Sequence, residues 1–268
     1  MLRDEIAVAR RAALEAGKVL SGLFGKIKQI TKKGVIDLVT EADVQAEKAV
    51  LDILKHHFPE DGILTEEAGA HQKNAERVWI IDPLDGTTNF AHTYPVYAVS
   101  IALEINGETV LGVVHDPSRQ ESFEAVRGAG AFLNRRPITV SQMKEPRDAL
   151  LATGFPYYMH QRPQRVFVLF EKMLPLVQGV RRGGSAALDL CYIAAGRLDG
   201  MWEEGLKPWD TAAGSVIVEE AGGRLTDYEG RDYTPRLDTI VASNGVLHAM
   251  MLTELRSAAR SPTPVRVP

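Results

Sequence analysis

The chain of 268 residues holds a single cysteine, Cys191. One thiol cannot close an intrachain disulfide, so stability must come from a packed core, and a reducing compartment, the cytoplasm, is expected. No apolar run approaches the roughly 20 residues that a membrane-spanning helix needs. The N-terminal stretch MLRDEIAVARRAALEAGKVL is charged throughout and lacks the apolar segment of a signal peptide. Neither GxxxxGK[ST] nor GxGxxG occurs, so the common nucleotide-binding glycine loops are absent as motifs. The histidines show no HExxH or HxxxH spacing, which excludes the usual zinc-helix signature and leaves them as surface or core groups, with His92 a candidate to line a cleft. Excess basic charge is missing too. A net charge of −4 argues against direct coating of nucleic acid.

What is present is ordinary for a soluble globular protein with a real core: 45% hydrophobic and 25% charged residues. The length suits one domain over 1–268 built of two halves, an α+β half over 1–145 and an alternating α/β half over 146–268. Ile6, Ala9, Ala13, Ala16 and Leu20 recur at helical spacing, predicting a helix over 3–21. A second helix is expected over 40–58, with Thr40 and Asp43 at capping-box spacing. A short buried strand is expected over 78–81. Strands over 97–105 and 109–115 flank Asn106-Gly107, a hairpin signal, and a further strand over 122–127 follows. Beyond these, strands are expected over 149–153, 200–203 and 239–242. Helices are expected over 165–177, 186–196, 210–221 (ended by Gly222-Gly223) and 246–259. Cys191 falls on an apolar helix face beside Leu188 and Tyr192 and reads as an inert core thiol. The tail SPTPVRVP has no periodicity and reads as mobile or as an extended strap.

The stretch WIIDPLDGTTNF, residues 79–90, carries the chemical question. An apolar strand stops at Asp82, Pro83 fixes its own φ, and Gly86 permits the chain to turn after Asp85. Asp82 and Asp85 can share one space with the Leu84 carbonyl between them. Two such acids repel unless a partner lies among them, and a cluster of hard oxygen donors suits Mg²⁺ or Mn²⁺ rather than zinc. The same D-P-x-D-G is also an ordinary turn sequence. More acids stand at predicted element ends: Glu66 and Glu67 in ILTEEAG, and Glu203, Glu204 and Asp210 in MWEEGLKPWD. Taken singly they read as solvated surface or, for Asp210, as a helix N-cap. Taken together they can converge on one cleft. Gly86, Thr87 and Thr88, and likewise Gly184, Ser185 and Ala186, offer backbone N–H groups and hydroxyls where a helix begins. Each set reads as an anion cradle or as a glycine turn with a hydroxyl cap.

These residues resemble the inositol monophosphatase family of Mg²⁺-dependent, lithium-sensitive phosphatases. WIIDPLDGTTNF is similar to the first family signature and PWDTAAGSVIVEEAGG to the second, and ATGFPY at 152–157 resembles the bacterial branch. The resemblance implies an α/β fold (α+β by some schemes), a layered α-β-α-β-α sandwich. It implies that Glu66, Asp82 and the Leu84 carbonyl hold one Mg²⁺, that Asp82, Asp85 and Asp210 hold a second, and that Asp43 meets a third ion through water. Mn²⁺ would substitute, and Li⁺ and Ca²⁺ would inhibit. Glu66 and Thr87 would orient the attacking water, with Asp85 also in the catalytic set. Gly86, Thr87 and Thr88 would cradle phosphate. Gly184, Ser185, Ala186, Glu203 and Asp210 would hold the inositol ring, and Lys32 would sit on a flap. Ser185 departs from the threonine of many members. With no cysteine or histidine motif for a phosphoenzyme, direct attack by a metal-activated water is the simpler route. The implied reaction is hydrolysis of inositol 1-phosphate. Fructose 1,6-bisphosphate, other sugar phosphates and histidinol phosphate are alternatives, as is association with the transcription machinery. A homodimer is implied, and no membrane partner.

Overall fold

Alanines and aliphatics at helical spacing give α1 (Arg3–Leu23) a narrow apolar face, on which Ala9, Ala12, Ala13, Ala16 and Leu20 are fully buried. The computed structural model describes residues 2–27, 30–32, 38–67, 69–71, 75–160 and 163–260. The short antiparallel pair β1 (Ile30–Lys32) and β2 (Leu38–Thr40) leads into α2 (Glu41–His57), whose start is the expected capping box of Thr40 and Asp43.

The larger sheet contains β3 (Gly62–Thr65), β4 (Gly69–His71), β5 (Arg77–Asp85), β6 (Ala98–Ile105), β7 (Glu108–Asp116), β8 (Glu121–Val126), β9 (Ala131–Leu133) and β10 (Arg136–Ile138), in the spatial order β10-β9-β8-β7-β6-β5-β3-β4. Its neighbours run antiparallel except β3 and β5, which are parallel. The smaller sheet contains β11 (Leu150–Thr153), β12 (Gly179–Arg181), β13 (Gly200–Glu204), β14 (Arg224–Thr226) and β15 (Thr239–Ser243), in the order β12-β11-β13-β15-β14. The short α3 (Thr87–Ala91) follows β5. Helices α4 (Pro163–Met173), α5 (Ala186–Ala194), α6 (Pro208–Glu220) and α7 (His248–Arg260) lie in the second half of the chain.

Side-chain alternation along the strands sets the layers. Trp79 and Ile81 of β5 pack with α1 and α2, whereas Ile80 between them faces the other way. On that inner side α5 and α6 join Ala102 and Val114 of the larger sheet to Ala152, Met201 and Ala242 of the smaller one. Helices α4 and α7 cover the far face of the smaller sheet against Leu151, Trp202 and Val241. The result is the α-β-α-β-α sandwich that the resemblance implied. Close approach of α6 to β7 requires Gly112. A Cβ there would stand 2.4 Å from the Ala213 carbonyl oxygen.

Several boundaries differ from the periodicity reading. The strand expected over 78–81 continues to Asp85, because β6 keeps pairing with it past Asp82. The helix expected over 165–177 runs Pro163–Met173 and tightens into a 3₁₀ turn, Leu174–Leu176, at Pro175. The helix expected from Asp210 begins at Pro208, where a proline suits the first helical position. The tail 261–268 lies outside the described residues.

Candidate active site

The geometry of the two aspartates follows from a β-bulge. Residues three apart on a regular strand point to opposite faces. Here Asp82 pairs with Ser100 and Asp85 with Ala98, so β5 carries one extra residue at Pro83-Leu84. Asp82 and Asp85 therefore face the same cleft, while the Leu84 side chain is buried with the α1/α2 layer. Parallel pairing then brings in the next acid. Thr65 at the end of β3 stands opposite Ile81, so Glu66 emerges beside Asp82.

Three more segments complete the walls. Gly86 takes φ +95° to turn the chain into α3, and a Cβ there would lie 2.8 Å from the Val96 carbonyl oxygen. The Asn89 side-chain amide donates to the carbonyls of Val96 (2.8 Å) and Gly183 (2.9 Å), tying this turn to the glycine turn that starts α5. At that start the Ser185 hydroxyl accepts from the Leu188 N–H and donates to Asp85 Oδ2 at 2.5 Å, and the Ala187 N–H donates to the same oxygen at 2.9 Å. Ser185 is thus a helix cap and an anchor for Asp85 at once. The end of β13 supplies Glu203 and Glu204, and the first turn of α6 supplies Asp210, whose carboxylate reaches back to the Lys207 N–H at 2.7 Å. Asp210 is therefore not the N-cap but the third residue of its helix.

Glu66, Asp82, Leu84, Asp85, Gly86, Thr87 and Thr88 line one cleft of about 270 Å³ together with Gly184, Ser185, Ala186, Glu203 and Asp210. Burial pushes the Asp82 carboxyl well above the ordinary carboxylate range, and Glu66, Asp85 and Asp210 push it further. Burial and then Asp85 do the same to Asp210, against the Lys207 N–H. Asp85 rises only to about 6, because Ser185 and the Ala187 N–H stabilise its charged form against burial. Glu203 is raised to about 8 by burial and then by Asp189. Carboxylates that raise one another this way share a space. Among the described residues they do not already close into a cage round one point.

Asp43 sits elsewhere. It is fully buried and does not line the cleft. One of its oxygens accepts from the Thr40 N–H (2.7 Å) and hydroxyl (2.6 Å), and the other faces the Thr87 hydroxyl at 3.1 Å. The Thr87 hydroxyl also lies 3.0 Å from the Leu84 carbonyl oxygen. Asp43 therefore reaches the cleft through Thr87. His92 is exposed and lies off the cleft, and Cys191 is buried in the core. Lys32 ends β1, and its side chain lies outside the described residues.

Sequence reasoning missed Asp189, Arg182, Phe155 and Lys207, which also line the cleft. Asp189 and Arg182 lie in the stretch RRGGSAALDL, residues 181–190. The available signal was the helix start at Ala186, which puts Asp189 on its first turn beside Ser185. Glu204 lines the wall as well. Its Oε2 takes the Arg165 Nε–H at 2.6 Å, and its buried Oε1 has no partner among the described residues.

Known proteins are similar to this chain along most of its length. An inositol-1-monophosphatase of Synechocystis sp. is 48% identical over 249 residues, covering 92% of this chain and 87% of that protein. Nus factor SuhB of Haemophilus influenzae is 41% identical, over 93% of this chain and 94% of that protein. The solved structure of inositol monophosphatase from Anabaena (Nostoc) sp. superposes with a TM-score of 0.88 at 44% identity, covering 96% of each chain. A model of the inositol monophosphatase family matches residues 1–260, and the chain belongs to that family.

Proposed function

We propose that this protein hydrolyses phosphate monoesters of polyols and sugars, inositol 1-phosphate foremost, in a Mg²⁺-dependent reaction. The observation that carries the reading is the convergence of Glu66, Asp82, Asp85 and Asp210 from separate segments on one cleft, with the start of α3 at its edge. Four carboxylates and the Leu84 carbonyl are the hard oxygen donors that Mg²⁺ takes, and their mutual repulsion is what a dication relieves. Glu66, Asp82 and Leu84 would hold one ion, and Asp82, Asp85 and Asp210 a second. Bound Mg²⁺ supplies positive charge that lowers the pKa of water and offsets charge on a leaving oxygen.

The chain's own residues supply orientation and proton transfer. Backbone N–H groups of Gly86, Thr87 and Thr88 hold non-bridging phosphate oxygens at the start of α3. The Thr87 hydroxyl, fixed between Asp43 and the Leu84 carbonyl, directs a water in line with the scissile P–O bond. Glu66 accepts that water's proton. Gly184, Ser185 and Ala186 form the opposite wall, where Glu203 and Asp210 receive hydroxyls of the departing alcohol. Asp85, held by Ser185 and Ala187, keeps its carboxylate turned to the cleft.

The test is free-phosphate release from inositol 1-phosphate, fructose 1,6-bisphosphate and histidinol phosphate, with and without Mg²⁺, by wild type and Asp82→Asn. Wild type should favour inositol 1-phosphate, and Li⁺ should inhibit it. Asp82→Asn should lose Mg²⁺-dependent turnover while keeping its far-UV circular dichroism. Wild-type rates in that variant would overturn the assignment. A second reading, association with the transcription machinery, is favoured by relatives named Nus factor SuhB, two of which align along 94% and 95% of their own length. Co-purification of the tagged chain with RNA polymerase tests it. A homodimer is expected on the family resemblance, and light scattering of the purified chain tests that. Among the described residues no helix is long and apolar enough to cross a membrane.

A further inference from the structure

The cleft holds an acid that the mechanism above does not use. Asp189, on the first turn of α5, is 5% exposed and lines the cleft. Asp82 accepts from the Leu84 N–H, Asp85 from Ser185 and Ala187, and Asp210 from the Lys207 N–H. Among the described residues the Asp189 carboxyl accepts no hydrogen bond, and burial, then Asp85, push its pKa well above the ordinary carboxylate range, against the Arg182 guanidinium. Its position is defined: a Cβ on Gly183 would stand 3.0 Å from Asp189 Oδ1, so the glycine turn closes one side of the carboxyl. Arg182 lies over the Phe155 ring at 5.7 Å, and Glu203 feels Asp189 across the cleft.

A desolvated acceptor without a donor is costly, and the cost disappears when a ligand supplies the donor. The chemistry of that ligand follows from charge. Among the described residues of the cleft lining, acids far outnumber the cations Arg182 and Lys207. A leaving group with a second phosphate would add negative charge to this wall. A neutral ring bearing several hydroxyls would bring donors to carboxylates that need them.

We propose that Asp189 is a specificity-determining residue, whose carboxyl oxygen accepts a hydrogen bond from a ring hydroxyl of a neutral polyol leaving group. The inference rests on the phosphatase reading above and adds a hydroxyl contact beyond Glu203 and Asp210. Arg182, beside Asp189 and stacked on Phe155, is a positioning residue that favours the charged acceptor.

The experiment compares Asp189→Asn and Asp189→Ala with wild type on inositol 1-phosphate and on p-nitrophenyl phosphate, whose leaving group has no ring of hydroxyls. kcat and KM are measured separately, and thermal melts check that each variant folds. Loss of this hydrogen bond should lower the ratio of kcat/KM for inositol 1-phosphate to that for p-nitrophenyl phosphate by about fivefold or more. The change should appear chiefly in KM and be larger in Asp189→Ala. An equal loss on both esters would mean that Asp189 only supports the fold of the cleft, and would overturn the inference. So would an unchanged ratio. A wild type that hydrolyses neither ester would instead overturn the phosphatase reading, and the inference with it.

Discussion

Glu203→Gln gives the sharpest test of the electrostatics of the cleft. Glu203 is 9% exposed, and burial, then Asp189, lifts its pKa to about 8 from the ordinary 4.5. In the metal-free protein the folded state therefore keeps a proton that the unfolded chain has already released. A group raised on folding contributes its full stabilisation below the unfolded pKa and loses it as pH rises through the folded value. Between about pH 5.5 and about pH 8 the loss is about 1.4 kcal/mol per pH unit, or about 3 kcal/mol in all. Glutamine keeps the shape and cannot ionise, so it removes this dependence. Asp82, Asp189 and Asp210 are raised too, and they make wild-type stability fall still faster with pH. The assay is urea unfolding in EDTA at several pH values, followed by tryptophan fluorescence. The difference between variant and wild type should grow toward high pH by about 3 kcal/mol. Parallel curves would refute a desolvated Glu203 and the crowding of acids from which it follows.

Other expectations concern the frame of the site. Gly112→Ala drives a Cβ into the backbone of α6 at Ala213; overpacking of this kind costs about 1–3 kcal/mol, visible as a lower Tm with unchanged Mg²⁺ dependence of the residual activity. His248 is buried between the hydroxyls of Thr226 and Ser243, each at 2.9 Å, and burial and then Arg224 lower its pKa to about 4. Its contribution is therefore present above the unfolded value of 6.5 and lost as pH falls through about 4. Replacing it with glutamine should remove about 3 kcal/mol of acid sensitivity from denaturant titrations, by the same linkage.

Much of the site was legible because its residues stand at element ends marked by strong local signals. Thr40 and Asp43 formed the capping box that their spacing predicted, and Asn106-Gly107 formed the expected hairpin with both residues at positive φ. The bulge at Pro83-Leu84 was not legible. Its effect depends on where β6 stops matching β5, which is a matter of pairing between strands rather than of local propensity. The three-residue strands β4, β9, β10, β12 and β14 are too short to show a period and exist because neighbours offer them edges. Asp189 and Arg182 were in plain view in the sequence, yet a first-turn acid and an arginine are common on any helix. Only the approach of β13 and of the Phe155 segment makes them cleft residues. Asp43 shows the converse. Its buried carboxyl is committed to Thr40 and Thr87, a distinction that residue type alone does not make.

The most direct test is anomalous diffraction from crystals soaked with Mn²⁺ and inorganic phosphate. The account predicts Mn²⁺ peaks within coordination distance of the Glu66, Asp82, Asp85 and Asp210 carboxylates and the Leu84 carbonyl, with phosphate against the N–H groups of Gly86, Thr87 and Thr88. Ordered Mn²⁺ bound only elsewhere on the chain, with those four acids making no contact to any ion, would contradict it.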